Sequence, residues 1–110
     1  MTALTALAEP HRLLIVELLR NGPRPVGEIA DKLQLNQPQV SKHLRVLTDA
    51  GVVEVHPIAQ QRIYSLRPQA FREIDDWLEP YRRLMDDRYN RLNDYLRRAQ
   101  AKEKRHARKN

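Results

Sequence analysis

The chain has 110 residues, room for one small domain, and its 41% hydrophobic and 31% charged composition with only 5% aromatics favours helices. It contains no cysteine, which excludes disulfides, thiolate metal sites, iron–sulfur clusters and cysteine nucleophiles and fits a cytoplasmic location. The net charge of +6 is unevenly spread: residues 97–110 hold seven Lys/Arg and one Asp/Glu, whereas residues 1–96 hold thirteen of each, so the excess sits in a basic tail.

In chain order, Thr2 is placed to cap a short first helix. Pro10 suits the first turn of a second one, because it lacks the N–H that would go unpaired there. Glu9, Pro10, His11 and Arg12 break the Leu/Ala-rich start, which therefore reads as neither a signal peptide nor a membrane span. Leu14, Ile15, Leu18 and Leu19 recur at helical spacing on one face, and Asn21-Gly22 with Pro23 and Pro25 stops that helix. Val26 to Leu33 forms a third helix with Ile29, Ala30 and Leu33 inward. Gln34 to Gln37 lead directly into a fourth, spanning 37–50, where Asn36 and Gln39 resemble a capping box and Val40, Leu44 and Leu47 form the inner stripe. Gly51 ends it. Position 34 is often glycine in such a turn, so Gln34 carries strain if the backbone there must be left-handed.

Val52 to Val55 and Ile63 to Leu66 are β-type runs joined by a turn at Pro57 to Gln61, a β-hairpin. From about Gln69 the helical period returns, with Phe71, Ile74, Leu78, Tyr81, Met85, Tyr89, Leu92 and Leu96 spaced by three or four. That stripe covers roughly 26 residues, about 40 Å of helix. Pro80 interrupts it, giving either a kink near Asp76 to Leu78 or two successive helices.

Two short helices joined by a tight turn and followed by a hairpin describe a winged helix-turn-helix, mainly α, with its second helix entering the DNA major groove. At about 100° per residue from Val40, Leu44 and Leu47 lie within about 40° of the inner face, while Lys42, Arg45, Gln39 and Ser41 lie roughly 100° or more away. Glutamine pairs with both N6 and N7 of adenine, Lys and Arg reach guanine or phosphate, and serine bonds to either. The candidate DNA-binding residues are therefore Gln37, Gln39, Ser41, Lys42, Arg45 and, on the wing, Arg62. The long stripe is too extended for so small a domain to cover alone, which makes Phe71, Ile74, Leu78, Tyr81, Met85, Tyr89 and Leu92 a candidate homodimer interface. The alternative is a stripe that folds back on its own core. Residues 1–96 then form a DNA-binding and dimerisation domain, followed by the tail 97–110.

The segments Leu7 to Arg12 (LAEPHR), Val26 to Ala30 (VGEIA) and Gln37 to Leu47 (QPQVSKHLRVL), with Ala50 to Val53, resemble the ArsR/SmtB family of bacterial winged-helix repressors. That resemblance implies a symmetric dimer that binds a near-palindromic operator, with its first and last helices at the dimer interface, which adds Leu4 and Leu7 of the first helix to the candidate homodimer residues. Many members sense metals through a Cys-Val-Cys-like motif on the third helix; the corresponding stretch here reads Arg24 to Glu28, without a thiol. A second family site uses His and carboxylates on the last helix, where this chain has Asp75, Asp76, Asp86 and Asp87 but no histidine before His106. No metal site or cofactor is expected. His43 reads as a packed or backbone-bonded histidine, and neither His11 nor His56 has a partner at ligand spacing. Trp77 lies on a flank of the stripe, as packing or as part of a ligand pocket.

An enzyme would need a nucleophile and base, or paired carboxylates, converging in a cleft. Asp75-Asp76 and Asp86-Asp87 lie instead beside Arg82, Arg83 and Arg88 on a helix surface. The other alternative is a winged helix serving as a protein-interaction or RNA-binding module. The polar face of the fourth helix favours groove reading over that role. The inducing signal stays open among a small organic ligand, a partner protein, and none beyond autorepression.

Overall fold

A computed structural model describes residues 2–108 of the chain, and side chains over residues 2–105. The chain divides into two compact units, Met1–Asp75 and Asp76–Asn110. The elements run α1 (Thr2–Leu7), α2 (Pro10–Leu19), β1 (Arg24–Pro25), α3 (Val26–Leu33), α4 (Gln37–Asp49), β2 (Val53–Ile58), β3 (Gln61–Leu66) and α5 (Pro68–Arg108). Among the described residues no helix is long and apolar enough to cross a membrane.

The first unit is built on Ile15, Ile29, Val40, Leu44, Leu47 and Val52, each fully buried. Helices α3 and α4 point inward through the residues that periodicity selects. Helix α2 does not: Ile15, Val16 and Leu19 are buried, whereas Leu14 is 46% exposed. Leu14 falls about 100° off Ile15 on the side away from Val16 and Leu19, so the inward stripe is one residue further along than expected. Thr2 opens α1 as its first helical residue rather than preceding it as a cap.

Caps fix the helix ends. Glu9 precedes Pro10 at the start of α2 and accepts a bond from the Arg12 backbone N–H at 2.9 Å, while Arg12 Nε donates to the Ala6 carbonyl at 2.6 Å and ties α2 back to α1. Asn36 caps α4 by accepting from the Gln39 N–H at 2.9 Å. Only the Asn36 half of the expected capping box is formed among the described residues, and Gln39 keeps its side chain exposed. Helix α4 ends in a Schellman motif: the Gly51 N–H donates to the Thr48 carbonyl at 3.0 Å and the Val52 N–H to the Leu47 carbonyl at 2.9 Å, with Gly51 at φ 75°.

Helix α3 closes in the same way, the Leu35 N–H donating to the Ala30 carbonyl at 3.0 Å, but the left-handed residue is Gln34, at φ 54° and ψ 43°. A side chain there carries the strain that glycine avoids at Gly51. Gln34→Gly should therefore raise stability by about 0.5–1 kcal/mol once the added chain entropy is set against the relieved strain. A urea midpoint that stays put or falls would mean that no strain is stored in this turn.

The sheet has three strands in the order β1-β3-β2, all antiparallel. Strand β1 is an addition to the expected hairpin; two residues, the second of them a proline, carry no alternation from which to read it. Strand β2 also runs further than expected: Pro57 pairs with Arg62 and Ile58 with Gln61, so the turn is Ala59-Gln60 alone, with Ala59 at φ 56°. Pro57 is tolerated because β2 is an edge strand, where a missing N–H need not break a ladder.

Helix α5 is a single helix through Pro80, not two. Pro80 supplies no N–H to the helix ladder, and residues 75–85 around it are all exposed. The stripe along α5 divides. Phe71 and Ile74 are partly buried and pack against the core of the first unit, as Leu7 does from α1, while Leu4 is partly buried. In the second unit Leu78, Tyr81, Met85, Tyr89, Leu92 and Leu96 are 38–68% exposed. Trp77 packs on Tyr81, ring centroids 4.8 Å apart. The tail is helical as far as Arg108; Lys109 and Asn110 lie outside the described residues.

Candidate nucleic-acid interface

The inner stripe of α4, locked by Val40, Leu44 and Leu47, forces the opposite face outward. Gln37, Gln39, Ser41, Lys42 and Arg45 are all exposed, as is Arg62 on β3. Cross-strand pairing sets Tyr64 opposite Val55 and Arg62 opposite Pro57. Between α4 and this hairpin runs an open groove of about 540 Å³ lined by Gln37, Ser41, Arg45, Thr48, Arg62 and Tyr64, among others. Helix and wing thus meet along one surface that carries two guanidinium groups, two hydroxyl side chains, a phenol, an amide and, from Asp49 at the end of α4, one carboxylate.

Gln39 and Lys42 do not line that groove. They sit further round the helix: Lys42, about 60° from Arg45, projects most directly away from the core, and Gln39, about 120° from Arg45, lies on the far flank. The candidate residues therefore form two neighbouring sets on one helix: Gln37, Ser41 and Arg45 beside the wing, and Lys42 on the crest with Gln39 on the far flank. Among the described residues Lys42, Arg45 and Arg62 make no ion pair, which leaves their charge available to an anionic partner. Tyr64 and Thr48 were not legible as site residues. Thr48 spends its hydroxyl hydrogen on the Leu44 carbonyl at 2.7 Å, an in-helix bond that keeps its oxygen near the groove.

The profile described as "Bacterial regulatory protein, arsR family" matches residues 9–55, which hold all of α2, α3 and α4. The transcriptional repressor SdpR of Bacillus subtilis is 32% identical over 73 residues, 66% of this chain and 81% of that protein. The chain belongs to the ArsR family. The HTH-type transcriptional regulator Rv2034 of Mycobacterium tuberculosis is 46% identical over 63 residues; the match spans 57% of this ArsR-family chain and 59% of the length of that relative. The homodimeric winged helix-turn-helix DNA-binding domain of Mb0332 from Mycobacterium bovis, solved by NMR, superposes with a TM-score of 0.59 at 27% identity, covering 77% of this chain and 76% of that one. The fold of this ArsR-family chain is accordingly a winged helix-turn-helix with a long C-terminal helix.

The histidines depart from expectation. His11 does have partners: its Nδ1 lies 2.9 Å from Glu9 Oε1, and His43 Nδ1 lies 3.7 Å from Glu9 Oε2. The two imidazoles stack with centroids 5.5 Å apart. Partial burial pushes the Glu9 carboxyl up, but the Arg12 N–H, the bond to His11 and the proximity of His43 outweigh it and hold the group below the usual carboxylate range. Spacing along the chain hid this cluster, because His43 comes from α4 and the other two residues from the start of α2. His43 is partly buried as expected, but it faces a carboxylate rather than the backbone.

Proposed function

We propose that this ArsR-family chain is a sequence-specific transcriptional regulator, a cytoplasmic homodimer that represses by reading a near-palindromic operator through α4. The observation that carries the reading is the exposed face of α4, five polar or cationic residues held outward by three fully buried ones and flanked by Arg62 and Tyr64 of the wing. Gln39, Ser41 and Gln37 lie in the N-terminal half of α4, the part of a recognition helix that reaches base edges, while Lys42, Arg45 and Arg62 are suited to phosphates and guanine.

The homodimer is supported by the apolar residues of the second unit, which are far too exposed for a protein that works alone, and by the homodimeric Mb0332 domain. A symmetric dimer carries two copies of α4 and so matches a palindromic site. Selection of sites from a random duplex DNA pool by the purified full chain should enrich one inverted repeat. Recovery of no sequence at low salt would transfer the surface to RNA or protein binding.

The tail adds attraction without adding specificity. Residues 97–110 hold seven basic and one acidic residue, against equal numbers in the rest of the chain. Removing 97–110 should weaken DNA binding and reduce the slope of log K against log salt by about 0.9 for each phosphate that the shortened chain no longer neutralises, with the preferred sequence unchanged. Parallel salt titrations of the two proteins would show that the tail touches no phosphate.

A further inference from the structure

We propose that Glu9, His11 and His43 form a binding site for a borderline divalent cation, of the class of Zn²⁺, Co²⁺ or Ni²⁺, that joins the start of α2 to the recognition helix α4. One ligating atom from each of the three side chains lies within 4.8 Å of the other two. Four-coordinate zinc with bonds of about 2.0–2.1 Å holds its ligand atoms about 3.4 Å apart. His11 Nδ1 lies 2.9 Å from Glu9 Oε1 and His43 Nδ1 3.7 Å from Glu9 Oε2, so each imidazole faces its own carboxylate oxygen at a distance close to that value.

The donor set fits the same class. Two imidazole nitrogens with one carboxylate favour Zn²⁺, Co²⁺ or Ni²⁺ over Mg²⁺ or Ca²⁺, which take oxygen ligands. The Arg12 backbone N–H donates to Glu9 Oε2 at 2.9 Å and fixes the orientation of the carboxyl group. The three side chains are 22–46% exposed, so a cation can enter and complete its coordination with water. Without a metal, His11 hydrogen-bonds to the Glu9 carboxylate and His43 lies 3.7 Å from its other oxygen, and the site is no more than a clasp between two helices. With a metal, the clasp becomes a coordinate link between a helix start and the element that presents Gln39, Lys42 and Arg45.

The site shares no residue with the DNA-contacting set, so its test stands apart from the functional reading. The full chain, stripped by chelator and dialysed, is titrated with Zn²⁺ by calorimetry and with Co²⁺ by visible absorption. One cation per chain is expected, with Co²⁺ showing the bands of a low-coordinate nitrogen and oxygen site, and with a metal-dependent rise in Tm because only the folded chain assembles the three ligands. His11→Gln, the most exposed of the three, and His43→Gln should each weaken binding at least about tenfold and remove the Tm rise. His56→Gln and His106→Gln should leave both unchanged. Binding no tighter than millimolar, or binding that survives His11→Gln and His43→Gln but falls with His56→Gln or His106→Gln, would overturn the assignment.

Discussion

A chain with Gln39 replaced by alanine should still fold and dimerise but lose most of its preference for its operator. The position is exposed on a helix whose inward residues are untouched, and alanine favours helix, so the stability change should stay within about 0.5 kcal/mol. Each bidentate bond pair to a base is worth about 1–3 kcal/mol, and a symmetric dimer makes it twice, so specific affinity should fall by about 2–6 kcal/mol, roughly 30-fold to beyond 10⁴-fold. Binding to unrelated DNA should barely change. Alanine at Lys42 should show the opposite pattern, a uniform loss across sequences with a shallower salt dependence, as expected of a side chain that holds phosphate. Competition titrations on operator and scrambled duplexes separate the two. Retention of full discrimination by a chain with Gln39, Ser41, Lys42 and Arg45 all changed to alanine would remove α4 as the reading element.

Placing glutamate at Met85 and Tyr89 together should produce a monomer. These side chains are 64% and 68% exposed, so the change does not touch the core of the first unit, and their replacement puts four like charges into a symmetric interface. Light scattering at micromolar concentration should then give the 13.0 kDa of one chain rather than twice that mass. Uncoupling the two half-sites should cost operator affinity about 10²–10⁴-fold, even though each α4 remains intact. A variant that stays dimeric would place the interface elsewhere on the chain.

Much of this was legible because the core-forming periods are local. Val40, Leu44 and Leu47 fix which face of α4 turns outward, and the same spacing predicts the DNA-facing candidates on that helix, all of which are exposed in the structure. The dimer stripe was legible as a stripe, but not where it would divide; whether Phe71 and Ile74 meet their own core depends on where β3 ends and α5 begins. Leu14 was misplaced because a run of adjacent leucines and β-branched residues in α2 supports two overlapping stripes, and packing against α3 and α4 selects one. Pro57 suggested a turn and lies in a strand, since edge position overrides a residue's turn preference. The Glu9, His11 and His43 cluster was invisible for a different reason: His43 is far along the chain from the other two, and only the docking of α2 against α4 brings it to them.

The central claim, a symmetric dimer that reads DNA through α4, is tested most directly by hydroxyl-radical footprinting of the full chain on its selected operator, with the bound mass measured on the same sample. Two chains per duplex are expected, protecting two half-sites whose centres are about 10 base pairs apart or a multiple of that, with both protections abolished together when Gln39, Ser41, Lys42 and Arg45 are changed to alanine. One chain protecting a single undivided site, or a footprint that persists in that variant, would contradict it.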